Sequence, residues 1–403
     1  MNRREREVTV TGYCAPGFEP VREAFAQNFR DGLEAGAATS VVVDGKTVVD
    51  VWGGASDEHG KEPWGEDTIV QVMSTTKGMT TLVAHLLVER GLLDLDAPVA
   101  RYWPEFAEAG KGAIPVRYLL THQAGLAALD QLQPPGALQD WQRVTTLLAA
   151  QKPGWEPGSA LGYHAVTFGF LVGEVIRRIT GKTVGRMIRE EIAGPLGVDF
   201  QLGFDESVDP RVAFLIDPEP APEGVIDLVN AITMDPFGQL SRAFLVAIPT
   251  PDTSFNSRGA RAAEMPASNG HTNARALARI YGALARGGEI DGTRLLKSET
   301  IARATEKQVG GIECVDGLEM HFGLGFMLRR PDASVVGPRA FGHTGFGGSM
   351  GFADPDLKVG FGYVMNQLGN SVSDEFSRST GAKSPQPDPR GTNIFRALYG
   401  VIR

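Results

Sequence analysis

Ser74-Thr75-Thr76-Lys77-Gly78-Met79-Thr80-Thr81-Leu82-Val83-Ala84-His85-Leu86-Leu87 is the stretch on which the reading of this chain turns. Met79, Leu82, Val83, Leu86 and Leu87 recur at helical spacing and Gly91 supplies a stop, so a helix is expected over roughly 75–90. Residues three apart on a helix lie on one face, one turn from each other, which sets the Lys77 amine beside the Ser74 hydroxyl. A serine hydroxyl becomes a useful nucleophile only when a neighbouring group takes its proton. The first helical turn also carries free N–H groups and the positive end of the helix dipole. Both favour a developing oxyanion and disfavour a second cation, so Lys77 is expected to lose its proton more readily than a free lysine. Ser74, Lys77, Thr81 and His85 fall opposite the apolar stripe, a pattern that suits the wall of a cleft. No other serine in the chain has a lysine three positions on.

Strand signals lie at the two ends of the chain. Ser40–Val43 and Thr47–Trp52 are β-branched runs joined by Asp44-Gly45-Lys46, and Ser349–Ala353 and Val359–Met365 flank a second turn at residues 354–358. Between them the pattern is mainly helical, over roughly 75–90, 140–151, 165–180, 183–193 and 273–287. The expected fold is therefore of the α/β (α+β) class. One antiparallel sheet is built from both chain ends and flanked by helices, with an all-helical lobe inserted. The expected division is a discontinuous α/β sandwich at 1–80 and 270–403, and a mainly helical domain at 81–269. Within the latter, residues 205–268 carry eight prolines and little periodicity, and are read as a wall or flap over the pocket.

Composition narrows the function. At 403 residues the chain can bury a large core and form two lobes. A net charge of −9 argues against a nucleic-acid partner, whose phosphates demand basic surface. No apolar run approaches the length of a membrane span, and none follows the charged N-terminus as a signal peptide would require. Cys14 and Cys314 are the only cysteines, which fits a reducing cytoplasm, the expected location. The seven histidines are scattered without metal-binding spacing, and no phosphate-binding glycine loop follows a strand, so no metal and no cofactor is expected.

Two further segments complete the chemistry. Tyr163, in Leu161-Gly162-Tyr163-His164-Ala165, precedes an apolar helical segment, so its hydroxyl can enter a cleft. Beside a lysine ammonium its pKa is expected to fall, and a Ser–Lys–Tyr cluster can then pass one proton from nucleophile to leaving group. Gly342-His343-Thr344-Gly345-Phe346-Gly347-Gly348 offers backbone for a substrate to lie against, and the Phe346 N–H is a candidate second oxyanion donor beside that of Ser74. His343, Thr344, Gly345 and His164 are the expected substrate-binding residues. A competing serine lies in Gly347-Gly348-Ser349-Met350-Gly351, which matches the G-x-S-x-G nucleophile elbow. That elbow needs a histidine later in the chain, and none follows His343, so Ser349 is rejected.

With Ser74-Thr75-Thr76-Lys77, Tyr163-His164-Ala165 and His343-Thr344-Gly345 in this order, the chain resembles the serine β-lactamase and penicillin-binding-protein superfamily. It looks most like the class C-related branch that contains the family VIII carboxylesterases. Tyr118-Leu119-Leu120-Thr121-His122-Gln123-Ala124-Gly125-Leu126 and Gly91-Leu92-Leu93-Asp94-Leu95-Asp96-Ala97-Pro98-Val99 are typical of that branch. The resemblance implies acylation of Ser74, acid–base roles shared by Lys77 and Tyr163, an oxyanion held by the N–H groups of Ser74 and Phe346, and an acyl pocket lined by the strand after Gly345. Two departures stand out. Ala165 replaces the asparagine of Tyr-x-Asn, and His343 replaces the lysine of Lys-Thr-Gly. A neutral histidine is a poor partner for a substrate carboxylate. The expected substrate is thus a small neutral ester with a short-chain or aryl group. The alternatives are acyl transfer, amide or weak β-lactam hydrolysis on the same machinery, or a ligand-binding sensor without turnover.

Overall fold

The computed structural model describes residues 8–131, 133–134, 136–218, 238–244, 254–331, 335–369 and 388–403. Nine strands form one antiparallel sheet. The N-terminal part contributes β1 (Thr11–Cys14), β2 (Gly36–Val43) and β3 (Lys46–Gly54). The C-terminal part contributes β4 (Val309–Ile312), β5 (Glu319–Phe322), β6 (Met327–Leu328), β7 (Phe341–Thr344), β8 (Met350–Asp354) and β9 (Val359–Met365). Their order across the sheet is β1-β3-β2-β9-β8-β7-β6-β5-β4. The two chain ends meet where β2 runs antiparallel to β9, with Val41 opposite Phe361. Both hairpins expected from the sequence are present, and Asp44 and Gly45 take φ of 45° and 83°, as a two-residue type I′ turn demands.

Helices cover both faces of the sheet, so β2 and β9 are buried along nearly their whole length rather than at alternate positions. α1 (Glu19–Arg30) and α6 (Pro389–Ile402) lie on one face and α5 (Ala274–Ala285) on the other, whereas α4 (Thr167–Thr180) packs on α2 (Thr76–Glu89) and α3 (Trp141–Ala150) on α4. Gly360 and Gly362 lie directly against the α5 backbone, where a Cβ would sit 2.2 Å from Gly282 N and 2.1 Å from Ala274 O respectively. Phe361, between them, points the other way onto Phe395 of α6, with ring centroids 4.4 Å apart. Neither α1 nor α6 was expected from the sequence, nor were β1 and β4–β7.

One expectation about α2 is overturned. The helix is buried on every side from Thr76 to Leu87, so its polar seam does not line an open cleft beyond the first turn. Thr81 instead donates to Gly325 O at 3.2 Å, and His85 Nε2 is 2.7 Å from Leu324 O. Burial holds the His85 pKa down at about 4, so it is a neutral side chain fastening α2 to the loop before β6. The Pro-rich segment falls partly outside the described residues, which omit 219–237 and 245–253. Its described end, Pro266 and Ala267, reaches α2 through hydrogen bonds from Thr80 and Lys77.

Candidate active site

Ser74 lies in a short 3₁₀ turn, Met73–Thr75, immediately before α2. Met73 takes a left-handed φ of 44°, which is uncommon for a non-glycine residue and turns the chain sharply into the helix. The sharp turn leaves the Ser74 side chain partly exposed while its neighbours are buried. The three-residue spacing works as expected. Lys77 Nζ is 3.0 Å from Ser74 Oγ.

Lys77 is fully buried, and its two other hydrogen bonds go to backbone carbonyls, Ala165 O at 2.7 Å and Ala267 O at 3.0 Å. Among the described residues no carboxylate compensates its charge, and burial holds its pKa well below the ordinary lysine value. Two carbonyls can only accept. A neutral amine that gives them its two N–H groups therefore directs its lone pair at the Ser74 hydroxyl.

Tyr163 is brought to the same spot from the loop before α4. Its phenol is hydrogen-bonded to Ser74, and Lys77 Nζ lies 4.9 Å from its ring centroid. The direction of its pKa corrects the sequence reading. Burial pushes it up, the hydrogen bond to Ser74 offsets only part of that, and the nearby carboxylates Asp316 and Glu313 push the same way. The expected ammonium effect fails because a lysine stripped of solvent does not supply a lasting positive charge.

The third segment arrives on β7. Gly345 lies so close to the nucleophile turn that a Cβ would be 2.4 Å from Val72 O and 2.2 Å from Ser349 Oγ, so no larger residue fits. Thr344 is exposed, and Gly345 and Phe346 are partly so. Among the described residues, the N–H groups of Ser74 and Phe346 have no backbone acceptor, which leaves both free for an oxyanion. His343 is buried, with Nδ1 2.6 Å from Thr344 O, and burial lowers its pKa to about 3. It is therefore a neutral imidazole where a lysine would be a cation. An apolar cavity of about 160 Å³ opens beside β7 and β8, lined by Met327, Met350, Phe352 and Phe395 among others, but Ser74, Lys77 and Tyr163 do not line it.

His164 stands apart from the others. Its Nδ1 is 2.6 Å from Gly162 O, its Nε2 accepts from Leu126 N at 3.0 Å, and it is fully buried. With both ring nitrogens spent on backbone it braces the Tyr163 loop and does not meet substrate. Two residues that sequence reasoning did not single out also hold Tyr163. Glu313, buried on the β4–β5 loop, accepts from the Tyr163 N–H at 2.5 Å and from Val315, Asp316 and Gly317 N–H groups. His122, with a left-handed φ of 58°, packs its ring 4.9 Å from that of Tyr163 and accepts from His164 N at 3.1 Å. Its positive φ is invisible in sequence, and Glu313 lies 150 positions from its partner.

The antiparallel sheet, its helices and this serine define a serine hydrolase. The chain belongs to the β-lactamase family, whose model, described as Beta-lactamase, matches residues 25–381. It is 39% identical over 370 residues to the Esterase/beta-lactamase LipL of Mycobacterium tuberculosis (strain ATCC 25618 / H37Rv), an alignment spanning 89% of this chain and 83% of that protein. Its structure is similar to the crystal structure of a family VIII carboxylesterase, with a TM-score of 0.85 and 40% identity over 98% of this chain and 100% of that one. It is equally similar to a penicillin-binding-protein homologue from Caulobacter crescentus, with a TM-score of 0.85 and 39% identity over 98% and 100% of the two chains. The protein is thus an esterase or a related hydrolase. Among the described residues, no helix is long and apolar enough to cross a membrane.

Proposed function

We propose that the protein is a cytoplasmic serine carboxylesterase that hydrolyses short-chain or aryl carboxylic esters through an acyl-enzyme on Ser74. The observation that carries this reading is the buried Lys77 amine, 3.0 Å from Ser74 Oγ and otherwise bonded only to two carbonyls. Lys77 takes the Ser74 proton as Oγ attacks the ester carbonyl, and the N–H groups of Ser74 and Phe346 receive the oxyanion. Tyr163 stays a neutral phenol and relays the proton to the departing alkoxide. Water then repeats the sequence against the acyl-enzyme. Environments that lower one pKa and raise the other support this division of labour. The discontinuous α/β lobe and the helical lobe supply opposite walls of the site.

The neutral His343 and the methyl of Ala165 favour uncharged esters over carboxylate-bearing lactams. The relative named Esterase/beta-lactamase keeps slow β-lactam hydrolysis as a secondary reading. Hydrolysis of p-nitrophenyl acetate and butyrate by the wild type and by Ser74→Ala tests the assignment. Turnover is expected in the first and not in the second, and equal turnover in both would refute it.

A further inference from the structure

The chemistry above uses nothing from the C-terminal helix, yet that helix carries a buried cation to the oxyanion turn. Arg390, at the start of α6, is only 3% exposed. Each of its five guanidinium N–H groups has an acceptor. Nε donates to Asp388 Oδ1 at 2.9 Å, and Nη1 donates to Gln367 O at 2.8 Å and Glu34 Oε2 at 3.2 Å. Nη2 donates to Asp388 Oδ2 at 2.5 Å and to Gly347 O at 2.6 Å. The last of these belongs to the turn Phe346–Gly348, whose first N–H is the proposed oxyanion donor.

That turn is pinned elsewhere by short bonds. Gly345 N donates to Ser349 O at 2.7 Å, Gly348 N to Gly345 O at 3.1 Å and Gly369 N to Gly347 O at 2.9 Å. Ser349 Oγ donates to Val72 O at 2.7 Å, joining the turn to that of Ser74. Arg390 is the only charged group in this set. The backbone has been shaped to receive it, because a Cβ on Gly348 would lie 2.8 Å from Asp388 Oδ2 and 3.0 Å from Arg390 Nη2. Glu34, on the far side of the guanidinium, also accepts from the Tyr363 hydroxyl of β9. Removing an arginine and two carboxylates from water is expensive, and a well-packed apolar cluster would tie a helix to a sheet at least as firmly.

We propose that Arg390 is a positioning residue that holds the Phe346–Gly348 turn, and with it the Phe346 N–H, in register with the N–H of Ser74. The inference rests on the proposed acyl-enzyme reading. Misplacing an oxyanion donor weakens binding of the transition state more than binding of the substrate, so the signature is a fall in kcat with KM little changed.

The test compares Arg390→Lys with Tyr399→Phe, using p-nitrophenyl butyrate. Tyr399 anchors the same helix through Asp354, 2.5 Å away and remote from the turn. Arg390→Lys is expected to lower kcat about ten- to a hundredfold with KM within about twofold. Amide hydrogen exchange in a peptide spanning residues 341–349 should quicken. Tyr399→Phe should lower Tm and leave kcat and that exchange as in the wild type. If Arg390→Lys does not fold, Asp388→Asn replaces it, with a loss of about three- to tenfold expected. A kcat within twofold of wild type in a folded Arg390 or Asp388 variant would overturn the inference. So would an equal loss in Tyr399→Phe. Ser74 labelling by a fluorophosphonate in the wild type checks the underlying reading separately.

Discussion

Ser74 and Ser349 sit on adjoining turns and each resembles a nucleophile motif, yet their surroundings differ in every respect that matters. Ser74 is partly open to solvent and faces an amine with a lone pair to offer. Ser349 is fully buried, gives its proton to Val72 O at 2.7 Å and lies 3.1 Å from Thr75 Oγ1. Neither neighbour of Ser349 can act as a base at neutral pH. On the proposed mechanism reactivity comes from a base and an open approach, and the same hydroxyl without them is a rivet. The rivet is useful, since it joins the Ser74 turn to the Phe346–Gly348 turn, whose first N–H and that of Ser74 are the proposed oxyanion donors.

The strongest way to break this contrast is to exchange the fates of the two serines. Ser74→Ala is expected to lower kcat on p-nitrophenyl butyrate by about 10⁴-fold or more. Ser349→Ala should lower kcat by less than about tenfold, and should destabilise the protein by about 1–2 kcal/mol because Val72 O loses a buried donor. Steady-state kinetics and thermal unfolding on both variants check this. Comparable losses in kcat would erase the distinction.

Lys77→Met comes next. Removing the base should lower kcat by about 10³-fold while the protein stays folded. In the wild type, kcat/KM should be retained at neutral pH and lost as pH falls and Lys77 gains its proton, because its pKa lies well below the usual lysine value. An acid limb that begins only near the ordinary lysine range would contradict the buried neutral amine. Tyr163→Phe should cost about 10²-fold in kcat, more for poor leaving groups such as ethoxide than for p-nitrophenoxide, since only the former needs a proton as it departs. Equal losses with both would remove the phenol from leaving-group protonation.

The smallest expected effect concerns the floor beneath both turns. Burial lifts the Glu34 pKa to about 7 despite the opposing charge of Arg390. Because the folded value lies above the unfolded one, the folded protein holds a proton that the unfolded chain has released between the two. The resulting stability is full below about pH 4.5 and is lost as pH rises through about 7, amounting to at most about 3 kcal/mol. Tm of the wild type should therefore decline relative to that of Glu34→Gln between pH 5 and 8. A constant difference would show that Glu34 does not titrate there.

Legibility in the sequence followed the range of the interactions. The helix behind Ser74 and the two hairpins rest on local periodicity and turn chemistry, and they appear within a residue or two of the expected bounds, except that β2 begins at Gly36, four residues before the expected Ser40. The strands β6 and β7 are too short to show any period, and β4 contains two glycines. In α1, Val21, Phe25 and Phe29 do form a buried helical stripe, so that signal was present and unread. Periodicity told which residues share a face of α2 but not what covers it, which is why Thr81 and His85 turned out to fasten a loop. His164 misled for a similar reason. It neighbours Tyr163 in sequence, but its ring turns to the backbone of Gly162 and Leu126. Glu313 and Arg390 act across 150 and 43 positions, and nothing local announces such pairings.

The account depends most on which serine becomes acylated. Brief exposure to p-nitrophenyl butyrate, acid quenching and peptide mass mapping read this directly. A butyryl group on the peptide containing Ser74, and none on the peptide containing Ser349, is the predicted result. Acylation at Ser349, or turnover with no covalent adduct at Ser74, would contradict it.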